Sequence, residues 1–295
     1  MERILVTGAG GFVGSYLAED LQCHGYGVTG LVRGNFTPAK KTYPVVSADL
    51  AEAVDVEWNG DIIVHAAGRV PSAGVSAGEY KRDNIDAMER LLKIAARKKV
   101  SLIIYLSTMD IYGRKNTEKI LDENTEKILD ENTEKILDEN TEYGISKYYA
   151  ERLLQENGRV NYVILRVPGV FGRGMSNTWL ARAINNMAQD NAVEVYSAGF
   201  ANNNFIAIED LAKFIRTIIS RSIYNDVFVL GNEEKIRIID MMNILKEEMR
   251  SKSEIVVREN RIIPFSINVS HALANGFSSV NFQTMVKNFF QKDIQ

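Results

Sequence analysis

The segment Arg3-Ile4-Leu5-Val6-Thr7-Gly8-Ala9-Gly10-Gly11-Phe12-Val13-Gly14 decides the fold. A short apolar run breaks into glycines, and Ser15-Tyr16-Leu17-Ala18-Glu19-Asp20-Leu21 continues with helical spacing. Strand, tight turn and helix in that order aim backbone N–H groups and a helix N-terminus at one point, where a pyrophosphate is stabilised. Gly8, Gly11 and Gly14 let the backbone turn and approach such a group, with Phe12 and Val13 in the first helical turn beside it. A plain strand–turn–helix junction is the alternative. The second strand, which follows at Gly27–Val32, favours the nucleotide site.

Outward from this start the rhythm repeats. Val45–Ala48, Asp61–Ala67, Ser101–Leu106 and Tyr162–Arg166 read as further strands, and helices are predicted over about 79–98 and 143–157. Continuous apolar strands alternating with amphipathic helices predict an α/β chain: a doubly wound parallel sheet of the Rossmann type, covered on both faces. After residue 170 the rhythm loosens. We assign residues 1–172 to a nucleotide-binding domain and 173–295 to a smaller C-terminal substrate-binding lobe, partly threaded back into the main sheet.

The 295 residues are ample for a buried core, and 45% apolar with 25% charged is an ordinary globular composition. No apolar run approaches the ~20 residues that span a bilayer, so no membrane contact is expected. The first residues lack the features of a signal peptide, and a single cysteine, Cys23, fits a reducing compartment. The expected location is the cytoplasm. Net charge is −3, and no basic cluster points to nucleic acid. No metal-ligating set is assigned.

An acid at the end of the second strand would hold ribose hydroxyls; Val32 stands there instead and Arg33 follows. Arg33 leans towards NADP over NAD by offering a guanidinium to a 2′-phosphate, although stacking on adenine would serve NAD equally, and a plain surface arginine is the third reading. Asp49, followed by Leu50, either accepts a hydrogen bond from the adenine amino group or caps a helix. Ala66 and Ala67 end a strand where small side chains let the cofactor pass, or they are ordinary core. Asn84 braces the fifth strand, relays a proton or sits on a helix surface.

Tyr143-Gly144-Ile145-Ser146-Lys147 carries the chemistry. A tyrosine and a lysine four apart share one helix face, so the ammonium lies beside the phenol, lowers its pKa and makes it a proton donor and acceptor. Thr108 ends the fifth strand, where parallel sheets place their ligands, and its hydroxyl can orient a substrate oxygen. Together with the glycine turn these residues predict hydride transfer between nicotinamide and a carbinol or carbonyl carbon.

These motifs run nearly the whole length: Gly8-x-x-Gly11-x-x-Gly14, Asp49-Leu50, His65-Ala66-Ala67, Asn84, Ser107-Thr108 before Ile111-Tyr112-Gly113, Tyr143-x-x-x-Lys147, Leu165 to Gly172, Phe205 to Leu211 and Phe228 to Gly231. On them the chain resembles an extended short-chain dehydrogenase/reductase of the NAD(P)-dependent epimerase/dehydratase family, which mostly handles nucleotide-activated sugars. The resemblance implies that Thr108, Tyr143 and Lys147 are the catalytic triad, that Val167 to Val170 line the nicotinamide, and that the enzyme is a homodimer joined through two helices per subunit. Met109, Asp110, Asn177 and Asn203 are the substrate-side candidates. Dehydratases of the family carry an Asp-Glu pair after the threonine; here Met109 and Asp110 follow, and Met109 cannot donate a proton, which disfavours 4,6-dehydration. Where many relatives have an arginine for the sugar-nucleotide phosphate, this chain has Asn202-Asn203-Asn204, leaving Arg173, Arg182 and Lys213 as substitutes.

The expected activity is epimerisation or oxidoreduction at a sugar carbon, with C4 of a nucleotide-linked hexose as the expected position. An NADPH-dependent 4-keto-sugar reductase and a non-catalytic NAD(P)-binding protein are the alternatives. Between Tyr112 and Tyr143, Asn-Thr-Glu-Lys-Ile-Leu-Asp-Glu stands three times without change over residues 116–139. The copies hold three lysines and nine acids, so they carry −6 and the rest of the chain +3. Their reading is a duplicated, solvated surface insertion, helical in part, or else a lid.

Overall fold

A computed structural model describes residues 2–34, 41–52, 55–113, 120–125, 141–176, 178–259 and 265–291. Asn177, and residues 116–119 and 126–139 of the repeat, lie outside the described residues. In chain order the elements begin β1 (Arg3–Thr7), α1 (Phe12–Cys23), β2 (Gly27–Val32), β3 (Val45–Ser47), β4 (Ile62–His65), α2 (Ala77–Tyr80), α3 (Ala87–Lys98) and β5 (Leu102–Thr108). They continue with β6 (Ile120–Leu121), α4 (Thr141–Glu156), β7 (Asn161–Val167), β8 (Gly169–Phe171), α5 (Trp179–Ala188), β9 (Val193–Tyr196), β10 (Ala201–Asn202) and β11 (Phe205–Ala207). Last come α6 (Ile208–Ser220), β12 (Asp226–Val229), β13 (Ile236–Arg237), α7 (Ile238–Glu248), β14 (Ile255–Arg258), β15 (Ser266–Ile267), α8 (Ser270–Ala274) and α9 (Phe282–Gln291).

Two compact units share these elements. One draws on Met1–Gly113, Thr125–Val167 and Ile215–Phe228, the other on Arg114–Asn124, Pro168–Phe214 and Val229–Gln295. The first unit holds a seven-stranded sheet in the order β12-β7-β5-β4-β1-β2-β3. From β3 to β7 every neighbouring pair is parallel. Ile4, Leu5, Val6, Ile63, Val64, Ile103 and Ile104 are fully buried, as a sheet covered on both faces requires. The chain enters at β1 in mid-sheet, builds outward through β2 and β3, then crosses to β4 on the other side. The C-terminal ends of β1 and β4 therefore flank a topological switch point, where sheets of this kind bind ligands.

The helix expected over 79–98 is built in three pieces. Ser76 and Glu79 form a capping box that starts α2. Lys81–Asp86 is then π-wound before α3 begins, and this wide turn carries Asp83 and Asn84 into the interior.

In the second unit β8 pairs with β11 and β9 with β14, both parallel, while β10 pairs antiparallel with β13. Phe171, Phe205 and Phe282 meet edge to face in its core, beside Met241, Met242, Leu245 and Met285. Part of the first octapeptide belongs to this unit. Ile120 and Leu121 form β6, in parallel register with Ser266 and Ile267. Leu121 is buried, its carbonyl accepts from Asn268 N at 2.8 Å, and Glu123 Oε1 accepts from Val229 N at 2.8 Å. These residues are a built-in strand, which corrects the reading of the whole repeat as a solvated insertion.

Candidate active site

The glycine turn is assembled as the spacing demands. Gly8 has φ +71°, its carbonyl accepts from Gly11 N at 2.9 Å, and a Cβ on Gly14 would overlap that carbonyl. The N-terminus of α1 has neither a side-chain cap nor an acidic residue in its first turn, which leaves the N–H groups around Phe12 and Val13 and their dipole for an anion. Across the switch point, Thr7 Oγ1 accepts from Ala67 N at 3.1 Å and shares a 2.7 Å hydrogen bond with His65 Nδ1. That link holds Ala66 and Ala67 so close to the turn that a Cβ on Gly8 would sit 2.8 Å from Ala67 N. His65 is buried and stacked on Tyr105; burial, with Lys147 adding to it, pushes its pKa down to about 3, so it is neutral.

Beyond the buried Val32, Arg33 Nη1 donates to Asp83 Oδ2 at 3.0 Å. Arg69 and Arg82 reach the same carboxylate at 2.8 and 2.6 Å. Asp49 accepts from Ala51 N at 3.0 Å and from Arg82 at 2.6 Å, a local turn-capping and ion-pairing role; Leu50 is buried beneath it. Asn84 is not a helix-surface residue. It is buried, with Oδ1 accepting from Arg69 N at 2.7 Å and Nδ2 donating to Ser146 Oγ at 2.8 Å, so it braces the loop after β4 and the helix α4 rather than β5.

At the end of β5, Thr108 caps the short turn Met109–Tyr112: Oγ1 accepts from Asp110 N at 3.2 Å and donates to Asp110 Oδ2 at 3.3 Å. Tyr143 is half-buried, and the Thr108 hydroxyl acts on its phenol. A Cβ on Gly144 would overlap the Asp110 carbonyl, so only glycine lets α4 lie this close to the turn. Burial raises the Tyr143 pKa above the ordinary phenol value and the Asp110 carboxylate adds to the rise, while the Thr108 hydroxyl opposes it. The expected lowering by Lys147 is not met. Nζ of the buried Lys147 donates to Leu106 O at 2.7 Å and lies 4.3 Å from the centre of the Tyr105 ring. Burial lowers its pKa to about 7, against a raising pull from Glu151.

One unit thus brings together Thr108, Met109, Asp110, Tyr143 and Lys147, with the glycine turn at the same edge of the sheet. Val170 and Asn203 belong to the second unit. Val170 is half-buried in β8, opposite Ile206. Asn203 staples backbone: Nδ2 donates to Asn232 O and Ile267 O at 3.0 and 2.9 Å, and Oδ1 accepts from Ile267 N at 2.8 Å. For Asn203, expected on the substrate side, these internal bonds are what the structure shows. Arg173 and Lys213 donate to Phe289 O and Ser278 Oγ. Sequence reasoning missed Asp83, the centre of the arginine cluster, and Glu151, although eight residues after Tyr143 is again the same helix face.

Residues 4–231 match the family model described as NAD dependent epimerase/dehydratase family. A Bacillus subtilis protein named as an uncharacterized UDP-glucose epimerase, YtcB, is 25% identical over 275 residues, covering 83% of this chain and 81% of its own. Among solved structures, UDP-glucuronic acid 4-epimerase from Bacillus cereus in complex with NAD superposes with a TM-score of 0.80 at 20% identity, over 99% of this chain and 100% of that one. UDP-glucose 4-epimerase from Thermotoga maritima, with UDP-glucose, gives 0.80 at 19% identity over 99% and 100%. At such identities the two structures speak for the fold. Among the described residues no helix is long and apolar enough to cross a membrane.

Proposed function

Because the chain belongs to the NAD dependent epimerase/dehydratase family, we propose that it is an epimerase acting at C4 of a nucleotide-linked hexose with NAD retained through the cycle. The observation that carries this reading is the packing of α4, through Gly144, onto the turn that follows Thr108, which sets Tyr143 at the end of β5 on the sheet edge that also bears the glycine turn.

The residues present fit a dinucleotide. The positive-φ Gly8 and the uncapped start of α1 suit a pyrophosphate, and Ala66 and Ala67 keep the switch point clear of bulk. When bound, the cofactor supplies reversible hydride acceptance. The chain supplies the rest. Tyr143 is the group set to exchange a proton with the sugar oxygen, and Thr108 the one to orient that oxygen. Because burial and Asp110 keep the phenol protonated, taking the sugar's proton would need added positive charge, which an oxidised nicotinamide would supply beside Lys147. Met109, buried directly after Thr108, has no proton to give to a leaving hydroxyl, which argues against dehydration.

The test is mass spectrometry of the cofactor released from purified protein, with a panel of UDP- and dTDP-hexoses assayed for C4 inversion. Tightly held NAD with inversion supports the reading; loosely bound NADP with stoichiometric NADPH oxidation by a 4-keto sugar replaces it with the reductase. One observation supports that second reading: the guanidinium groups of Arg33, Arg69 and Arg82 gather on Asp83 beyond the end of β2, the strand end at which an arginine can accommodate a 2′-phosphate. The proposal includes a homodimer, with the exposed Tyr149 of α4 at its contact face, read by light scattering.

A further inference from the structure

Helix α4 presents Tyr143, Lys147 and Glu151 along one face at four-residue intervals. Glu151 is fully buried, and so, almost, is its partner Arg166 on β7. Glu151 Oε2 accepts from Arg166 Nη2 at 2.9 Å, and Nε lies 3.3 Å from both carboxylate oxygens. Arg166 Nη1 donates to Tyr112 Oη at 2.8 Å, with the guanidinium 5.4 Å from the centre of that ring.

A buried ion pair returns little net stability, because desolvating both charges cancels most of their attraction. The directions in which this pair points supply a reason for its place. Its carboxylate end belongs to the residue one helical turn beyond Lys147 on the same face of α4. Against the Lys147 ammonium stand the Leu106 carbonyl and the Tyr105 ring from β5, with the neutral His65 from β4 and Glu151 from α4 acting on it; Asp110 of the turn acts on Tyr143. Of these, Glu151 is the carboxylate that opposes the effect of burial on Lys147. Its guanidinium end grips Tyr112, the residue closing the turn that begins after Thr108.

We propose that Glu151 and Arg166 are positioning residues of the reaction, a buried pair that holds the Lys147 turn of α4 in place and anchors the Thr108–Tyr112 turn against that helix. The inference rests on Tyr143 and Lys147 being the reacting pair. Both ends act at once: removing the charge of Glu151 loosens Lys147 and frees Arg166 from its partner.

The test is Glu151→Gln in the full chain, with thermal melting to establish folding. The titration of Lys147 is followed by NMR of 15N-lysine-labelled protein, assigned with Lys147→Met. The expected result is a Lys147 midpoint lowered by about one pH unit or more, and kcat reduced about tenfold or more with KM for the sugar nearly unchanged. Tyr112→Phe should lower kcat and leave the Lys147 midpoint where it is. An unmoved midpoint in folded Glu151→Gln, or an unchanged kcat in Tyr112→Phe, overturns the proposal. Should Glu151→Gln fail to fold, Glu151→Asp, which withdraws the carboxylate while keeping its charge, carries the same titration, and an unmoved midpoint again overturns it. The titration needs no substrate. A wild-type protein inert towards every sugar nucleotide would count against the proposed function, while the titration would still decide whether the pair acts on Lys147.

Discussion

Gly144 lies so close to the carbonyl oxygen of Asp110 that a Cβ added to it would overlap that oxygen. The distance between the Tyr143 helix and the Thr108 turn is thus set by the one residue type without a side chain. Gly144→Ala should push the two apart. An overpacking cost of about 1–3 kcal/mol is expected, with kcat down about tenfold or more because the phenol and the Thr108 hydroxyl no longer converge. Steady-state kinetics beside a thermal melt checks this; unchanged kcat in a folded variant would contradict it.

Acid should destabilise the protein through His65. Its folded pKa of about 3 lies below the ordinary histidine value, so the unfolded chain binds a proton that the folded chain refuses. The stability it lends is complete above about pH 6.5 and is lost progressively towards pH 3, at up to about 1.4 kcal/mol per pH unit. Urea unfolding across that window should show a shallower slope for His65→Gln than for wild type.

Arg33 separates the two cofactor readings. If it serves a 2′-phosphate, Arg33→Ala should raise the Kd for NADPH about tenfold or more and leave that for NADH nearly unchanged. Equal weakening of both, measured by fluorescence titration, would assign the side chain to adenine or to Asp83 alone.

Deleting one octapeptide should leave turnover within about tenfold of wild type, because β6 is then still supplied by an identical copy. Replacing the buried Leu121 with Asp should instead cost more than about 2 kcal/mol. Activity assays and denaturant unfolding of the two variants test the contrast.

Much of the first unit was legible because its signals are local. Apolar runs of four to seven residues marked β1, β2, β4, β5 and β7, and the glycine spacing after β1 located the switch point. Tyr143, Lys147 and Thr108 could be paired because one helix period and one strand end fix where such side chains emerge. Less visible was anything set by tertiary contact. Asp83 and Asn84 turn inward only because Lys81–Asp86 is π-wound. Asn203 works as a backbone staple through partners more than 25 residues away in sequence. Lys147 turns to Leu106 O instead of the phenol, a choice between acceptors that spacing cannot express.

The strand β6 has a consequence for how the gene can vary. Its Ile120 and Leu121 stand at a constant distance from Gly113, whatever the number of copies that follow. Gain or loss of a whole copy keeps the reading frame, renews the same β6 residues at the same place, and changes only the length between Leu121 and Thr141. A chain with one copy more or fewer would therefore present the same Ile120 and Leu121 to Ser266 and Ile267.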